Sequence, residues 1–183
     1  MTYKAAINKA WDNLAKITSE KDISVKFLAD EYTIDSQKKS VFSLSCNVPA
    51  KDFTAILILH YLTQRIKGLP QLTGEWQVFR ELAGIEGYYP TFRERAIEPI
   101  IRKYGSKPEE ILSALERLPG KKADLADISI IVEAFEGTPV LIKLMRADEE
   151  FGPEANILFD RSVTQIFCIE DIIVLAGIVA GSI

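Results

Sequence analysis

The recurrence of apolar residues predicts the first helices of the chain. Between residues 3 and 17, apolar side chains stand three or four positions apart and charged residues occupy the opposite face, which is typical of an amphipathic helix. A second, short helix is expected over residues 22–29. A longer helix is predicted over residues 50–67. Because its run at residues 55–59 is apolar on every side, this helix should be enclosed between other elements.

Further helices are expected in the second half of the chain. Helical spacing resumes over residues 92–104, where Pro99 should kink or restart the helix because proline has no backbone N–H group. Residues 107–118 begin with a proline and two glutamates, which suit a first helical turn. An apolar helix closes the chain. Glu170 and Asp171 at its start suit the positive end of the helix dipole.

Strands are predicted where apolar residues alternate or run together between turn residues. Residues 31–34 and 41–46 are expected to form one hairpin, and residues 128–135 and 140–145 a second. A further short strand is expected over residues 156–159. Antiparallel strands with helices before, between and after them predict an α+β fold. We therefore expect an antiparallel sheet built from two hairpins plus a further strand, packed against several helices.

The composition fits one domain over residues 1–183, since a chain of this length that is 48% hydrophobic can bury a large core. Its formal net charge of −4 argues against general binding to nucleic acids or anionic membranes. The apolar run at residues 172–180 is too short to cross a bilayer. The charged first residues predict no secretory signal, and hence a cytoplasmic location.

The two cysteines exclude the usual cysteine-based metal sites. Cys46 and Cys168 lie far apart and outside any C-x-x-C spacing, so neither a structural zinc site nor an iron–sulfur cluster is predicted. Both are interpreted as reduced thiols in the core.

Two sequence blocks carry a family resemblance. Residues 74–82, Gly-Glu-Trp-Gln-Val-Phe-Arg-Glu-Leu, and residues 154–160, Glu-Ala-Asn-Ile-Leu-Phe-Asp, resemble an uncharacterised domain-of-unknown-function family of anaerobic bacteria and archaea. The resemblance implies a shared fold and an anaerobic habitat, but no reaction. Some relatives carry an additional cysteine-rich segment, which this chain lacks. The similarity extends over residues 3–6, 60–62, 68–70, 95–96 and 170–171.

His60 is the only histidine of the chain. As a neutral imidazole it could act as a base, or as an axial ligand to a tetrapyrrole metal. The alternative is a core histidine that is hydrogen-bonded to a nearby carbonyl or to Glu75. Because no second histidine or thiolate lies at ligand spacing, no metal site built from side chains is predicted.

Arg80 is the strongest candidate for anion recognition, because a planar guanidinium can hold a carboxylate or phosphate through two hydrogen bonds. Arg93 and Arg95 follow nearby. The alternative is that these arginines form internal salt bridges. The neighbouring carboxylates that could pair with them are Glu75, Glu81, Glu86, Glu94 and Glu98.

Aromatic residues in the same stretch could form the wall of a pocket for a planar ligand, although such residues are more often part of a core. They are Trp76, Phe79, Tyr88, Tyr89 and Phe92.

The last third of the chain contains two further candidate residues and one acidic segment. Asn156 and Asp160 could contact a ligand or cap turns, with Asp160 capping a turn at Ser162. The acidic residues 148–150 are interpreted as a solvated turn, since they lack the alternating pattern of a calcium loop.

Three functional hypotheses remain open, because the chain contains neither a nucleotide-binding glycine motif nor a nucleophile elbow. The first is a non-catalytic ligand-binding or accessory domain of anaerobic metabolism. The second is an enzyme in which His60 and either Glu75 or Asp160 act as an acid–base pair on a small anionic substrate. The third is a protein-interaction module, such as a homodimer, with no small ligand.

The first hypothesis places the pocket between the end of the central helix, residues 74–90 and the strand at Asn156. An anionic small molecule or an anionic planar cofactor would suit this pocket, but the sequence does not identify the cofactor. A corrinoid or a haem would fit, and the corrinoid idea rests on the anaerobic association. The predicted ligand-binding residues are His60, Trp76, Arg80, Tyr88, Tyr89, Arg95, Asn156 and Asp160.

Overall fold

A computed structural model describes residues 3–183 of the chain. The first part contains α1 (Tyr3–Ala15), β1 (Asp22–Phe27), β2 (Asp30–Asp35), β3 (Ser40–Ser43), β4 (Val48–Pro49) and α2 (Asp52–Lys67). The second part contains β5 (Trp76–Val78), α3 (Tyr89–Phe92), α4 (Glu98–Tyr104), β6 (Gly120–Ala123), β7 (Ile128–Phe135), β8 (Thr138–Met145), β9 (Glu154–Asp160) and α5 (Ile169–Ser182). Three 3-10 helices (Phe79–Glu81, Pro108–Glu116 and Arg161–Gln165) and one π-helical turn (Arg93–Ile97) complete the described part. The domain predicted over residues 1–183 includes Met1 and Thr2, which lie outside it.

The first sheet has four antiparallel strands in the order β1-β2-β3-β4. The predicted hairpin forms from β2 and β3. The short helix predicted over residues 22–29 is wrong, because Ile23, Val25 and Phe27 are buried in alternation with exposed neighbours, and this period of two belongs to a strand. Leu28, at φ 55°, begins the tight turn into β2.

The second sheet has five antiparallel strands in the order β5-β9-β8-β7-β6. Its centre is the second predicted hairpin, β7 and β8, with the further predicted strand, β9, alongside. The α+β fold is therefore confirmed. The two hairpins belong to different sheets, however, whereas a sheet built from both was expected.

One core joins the two sheets and the helices. Phe135 at the end of β7 stacks on Phe27 of β1 with ring centroids 4.3 Å apart, and on Tyr61 of α2 at 4.2 Å. The backbone N–H of Leu28 also donates to the carbonyl of Ala134 at 2.7 Å. The predicted enclosure of α2 is confirmed, because Ala55–Leu59 are all buried.

The helix predicted over residues 92–104 is not one regular α-helix. A π-helical turn, Arg93–Ile97, precedes α4, and the N–H of Glu98 donates to the carbonyl of Arg93. Pro99 restarts the α-helix at its first turn, because its ring nitrogen has no hydrogen for the carbonyl of Arg95. Gly177 of α5 packs beside this turn. A Cβ atom at Gly177 would lie 3.6 Å from the Arg95 carbonyl oxygen.

The helix predicted over residues 107–118 forms as a 3-10 helix, Pro108–Glu116, rather than an α-helix. Its backbone bonds span three residues, as from the N–H of Arg117 to the carbonyl of Ala114. The hydroxyl of Ser113 also donates to the carbonyl of Glu110 at 2.7 Å. This side-chain bond competes with a regular α-helical pattern.

The sheet edges are short or carry charge. At one edge, β6 presents Lys121 and Lys122, and at another, β4 has only two residues and ends in Pro49. The N–H of Val78 on the edge strand β5 donates to the side chain of Glu81 at 3.0 Å.

The cysteines were expected in the core, and this expectation is wrong. Cys46 and Cys168 are both exposed free thiols. Cys46 lies in the turn between β3 and β4, and Cys168 precedes α5, so both occupy segments that run over the surface. No helix within residues 3–183 combines the length and the apolar character that crossing a membrane requires.

Candidate functional site

A groove of about 840 Å³ lies between the segment around β5 and the start of α5, and we call it the α5 groove. Four separate parts of the chain form its walls: the residues before and within β5, the loop before α3, the 3-10 helix after β9, and the start of α5. Its charged residues are Glu75, Glu81, Arg161 and Glu170, and Thr73, Gln77, Tyr88 and Cys168 also line it.

Asp160 holds one wall of the α5 groove in place. It is 4% exposed, and its carboxylate accepts hydrogen bonds from the backbone of Thr73 at 3.1 Å, of Gly74 at 2.8 Å and of Ser162 at 2.9 Å. Burial opposes ionisation, but these hydrogen bonds outweigh it and lower the pKa of Asp160 to about 2. Asp160 therefore supports the wall, caps the turn at Ser162 as expected, and does not itself line the groove.

Glu75 and Arg161 form a salt bridge at the same wall. The Nη1 of Arg161 lies 2.8 Å from a carboxylate oxygen of Glu75, and both side chains are 62% exposed. The backbone N–H of Arg161 also donates to the carbonyl of Glu75 at 2.9 Å. The structure thus pairs Glu75 with an arginine, Arg161, and not with His60, which was the other partner that the sequence allowed.

His60 is hydrogen-bonded to Asp171 instead. Its Nδ1 lies 2.8 Å from Oδ2 of Asp171, whose side chain is 8% exposed, while the imidazole is 32% exposed. The Asp171 carboxylate accepts this hydrogen bond from Nδ1–H, which orients the imidazole ring. Orientation of a histidine by a carboxylate is an arrangement that acid–base catalysis uses. His60 itself does not line the α5 groove.

The same carboxylate oxygen restrains Cys168. The Sγ of Cys168 lies 3.2 Å from Oδ2 of Asp171. Cys168 is exposed as a residue, but its sulfur is partly shielded from water. This desolvation, followed by the negative charge of Asp171, raises the pKa of Cys168 to about 12. The residue is therefore a neutral thiol at physiological pH, and it is not an activated nucleophile.

Tyr88 and Glu170 connect the loop before α3 to the start of α5. The Tyr88 hydroxyl donates to the Glu170 carboxylate at 2.6 Å. This hydrogen bond raises the pKa of Tyr88 and lowers the pKa of Glu170, so Glu170 is ionised at neutral pH.

A second, smaller hollow of about 100 Å³ lies near β5, and we call it the Arg80 recess. The guanidinium of Arg80 stands 3.8 Å from the ring centroid of Tyr89. Asn156 also borders the recess, and most of the other lining residues are apolar. Within residues 3–183, no carboxylate lies within salt-bridge distance of Arg80, whereas Arg93 is paired with Glu98 at 2.8 Å.

Comparison with known proteins identifies the family. A family model described as a domain of unknown function, DUF3786, matches residues 8–182. The chain belongs to this family. No curated protein and no solved structure matches it. The resemblance to a domain-of-unknown-function family is thereby confirmed, whereas the association with anaerobic bacteria and archaea stays a prediction.

The predicted pocket of this DUF3786 domain is divided among several places. Tyr88 lines the α5 groove, whereas Arg80, Tyr89 and Asn156 line the Arg80 recess. His60 lies with Asp171 outside both.

Two further predicted residues lie elsewhere. Trp76 pairs with Asp160 across β5 and β9 and is half-buried, but it lines neither hollow. Arg95 lines another hollow, of about 460 Å³, together with Phe53 and residues of α5. The structure therefore does not bring the predicted residues together in a single pocket.

Sequence reasoning missed several residues of the α5 groove. Arg161 directly follows the second family-like block, and this position was the only sequence signal that could have indicated it. Cys168, which also lines the groove, was interpreted as a core thiol. Asp171 lies outside the groove, and its bonds to His60 and Cys168 were not foreseen.

No group of three or more His, Cys, Asp or Glu residues in the part from residue 3 to 183 is arranged to hold a metal ion. In the acidic loop, Asp148 accepts from the backbone N–H groups of Glu150 and Phe151 at 2.8 and 2.7 Å. This segment is therefore an exposed turn that is closed by its own hydrogen bonds.

Proposed function

We propose that this chain is a small-molecule-binding accessory domain whose ligand occupies the α5 groove. The observation that carries the proposal is the groove itself. Its volume of about 840 Å³ lies within the range of roughly 300–1,000 Å³ that is typical of ligand sites. Polar side chains from separate segments, such as Gln77, Tyr88 and Glu170, meet there, and such convergence can orient a ligand.

The charge of the lining supports a ligand that carries a cationic group. Three glutamates and a single arginine contribute charge to the α5 groove. Because Arg161 is paired with Glu75, the carboxylates of Glu81 and Glu170 are left in excess. The negative charge of these carboxylates would attract a protonated amine and repel an anion.

Hydrogen bonds in the walls make the α5 groove a preformed site. Asp160 holds the Thr73–Gly74 backbone at one side. Tyr88 donates to Glu170 at the other, and His60 contacts Asp171 at the start of α5. Because these walls are already ordered, little binding free energy is lost in ordering them when a ligand enters the groove.

The test is a nuclear magnetic resonance titration with two probes that share an indole ring and differ in charge, tryptamine and indole-3-propionate. We expect tryptamine to shift the backbone amide signals of residues 73–75 and 168–170 in a saturable way, and indole-3-propionate to leave them unchanged. The Glu170→Gln variant should bind tryptamine more weakly by a factor of about ten, since a charge-assisted contact is lost.

Glu116→Gln is the matched control, because Glu116 is exposed and does not line the groove. It should leave the tryptamine affinity unchanged. The proposal is overturned if tryptamine leaves the groove signals unmoved at millimolar concentration, or if both glutamate variants bind it as the wild type does.

A further inference from the structure

We propose that the Arg80 recess is a second binding site, which takes the oxyanion group of a small molecule, a carboxylate or a phosphate. This site is separate from the α5 groove, and the two favour groups of opposite charge. The inference rests on the stacking of Arg80, on its lack of a carboxylate partner within the described chain, and on the size and lining of the recess.

The stacking of Arg80 leaves its hydrogen-bond donors available. Its guanidinium lies 3.8 Å from the ring centroid of Tyr89, so the ring covers one face of the cation. The N–H groups of a guanidinium point outward in its own plane. This contact holds Arg80 against the ring, and the donors that point away from the ring can form two parallel bonds to an oxyanion.

Nearby carboxylates do not neutralise this cation. Salt bridges of the described residues neutralise Arg93 through Glu98, and Arg161 through Glu75. Glu81, the residue next to Arg80, instead accepts from the backbone N–H of Val78 at 3.0 Å. Arg80 therefore keeps its full charge at the recess.

The lining of the recess strengthens a charge-assisted bond. Phe79 and Phe92 stack with centroids 4.1 Å apart, and both border the recess together with Ile97 and Ile157. Apolar walls exclude water from the inner side of the recess, which strengthens a bond between a guanidinium and an oxyanion there, whereas the outer side of Arg80 stays in contact with solvent. Asn156 also borders the recess, and its side-chain amide carries N–H donors.

The volume of the recess limits what it can hold. About 100 Å³ corresponds to the liquid volume of roughly three water molecules. A single carboxylate or phosphate group fits this space, whereas a whole cofactor does not. The remainder of the ligand would then extend over the surface beside Arg80, which is exposed.

The experiment follows the side-chain Nε signal of Arg80 by nuclear magnetic resonance at constant ionic strength. The probes are inorganic phosphate and, separately, acetate, with chloride as the reference anion. We expect at least one of the two oxyanions to shift the Arg80 signal in a saturable way, and chloride not to do so. The probe that saturates at the lower concentration identifies the oxyanion class.

Two variants distinguish oxyanion binding in the recess from nonspecific attraction by positive charge. Asn156→Asp keeps the side-chain size but places a negative charge in the recess, so binding should fall by at least about ten-fold. Arg80→Lys keeps the charge and loses the planar fork. Followed through the backbone amide signal of residue 80, because lysine has no guanidinium signal, it should also bind more weakly. Arg102→Lys is the matched control, because Arg102 is exposed and lies outside the recess.

A shift of Arg80 that does not saturate, or that chloride reproduces, would overturn the inference. So would Asn156→Asp binding the oxyanion as the wild type does, with an unchanged thermal unfolding midpoint showing that the variant is folded. The outcome is independent of the α5 groove, because its tryptamine titration uses a different probe and different variants.

Discussion

Asp160 links the residues before β5 to the start of the 3-10 helix after β9. Residues 73 and 74 precede β5 and Ser162 follows β9, and all of them donate to this one buried carboxylate. Because the carboxylate is ionised, each of these bonds is charge-assisted and stronger than a neutral one. A single side chain thereby replaces the hydrogen bonds that a strand or helix would supply.

We predict that Asp160→Asn destabilises the fold by about 2–3 kcal/mol, which urea unfolding would measure. The amide nitrogen of asparagine donates, so the N–H of Gly74 or the donors on the other oxygen would lose their acceptor. Asp124→Asn is the control. The side chain of Asp124 is 95% exposed, so its free energy of unfolding should stay within about 0.5 kcal/mol.

Ionisation of the Asp160 carboxylate predicts that the free energy of unfolding depends on pH. The folded-state pKa of Asp160 is lowered from 3.8 to about 2, so its contribution is fully present above pH 4 and is lost as the pH falls towards 2. Unfolding measured between pH 5 and 2 should therefore show a smaller loss of stability for Asp160→Asn than for the wild type. Equal slopes for the two proteins would contradict this assignment.

Contacts between residues close in sequence could be predicted, and distant ones could not. The cap from Asp160 to Ser162 spans two residues, and the sequence indicated it. The bond between His60 and Asp171 spans 111 residues, so no spacing rule could reveal it. The sequence therefore identified several residues of the candidate sites but not how they are paired.

The elements show which local patterns are ambiguous. A six-residue run such as Asp22–Phe27 is short enough to satisfy a helical pattern and a strand pattern together. It becomes a strand because β2 offers a partner along its whole length, from Asp22 opposite Asp35 to Phe27 opposite Asp30. Long patterns such as α2 and the β7–β8 hairpin leave no such ambiguity, and both were predicted correctly.

The packing of α5 against the π-helical turn gives a prediction for Gly177. A Cβ atom there would lie 3.6 Å from the carbonyl oxygen of Arg95, which is an ordinary contact. Alanine also favours a helix over glycine, so Gly177→Ala should stabilise the protein by about 0.5–1 kcal/mol in thermal or urea unfolding.

Gly120 supplies the opposite case. A Cβ atom at Gly120 would clash with the backbone carbonyl oxygen of Ile131, so Gly120→Ala should destabilise the protein. If Gly177→Ala were destabilising as well, α5 and the turn at Arg95 would have to lie closer together than described.

At the level of the whole molecule, the two sheets depend on a shared aromatic contact. Phe135 is 1% exposed and stacks on both Phe27 and Tyr61. We predict that Phe135→Ala costs about 3–5 kcal/mol, because it opens a cavity where the two sheets and α2 meet. Urea unfolding followed by circular dichroism and by tryptophan fluorescence should report the loss.

The two probes should also give coincident transitions in the wild type, since a single core unfolds as a unit. Phe151→Ala is the control, because that ring is 65% exposed, and it should change stability little. Two separate transitions in the wild type would show that the sheets unfold independently.

Three sheet edges affect how two copies of the chain can associate. The edge strand β6 carries two lysines, β4 ends in a proline, and the N–H of Val78 on β5 is bonded to Glu81. An open strand edge invites backbone pairing with another molecule and can seed aggregation. Charge, proline and an occupied N–H group each discourage such pairing. Two copies of this protein should therefore associate through their side chains rather than by merging their sheets at these three edges.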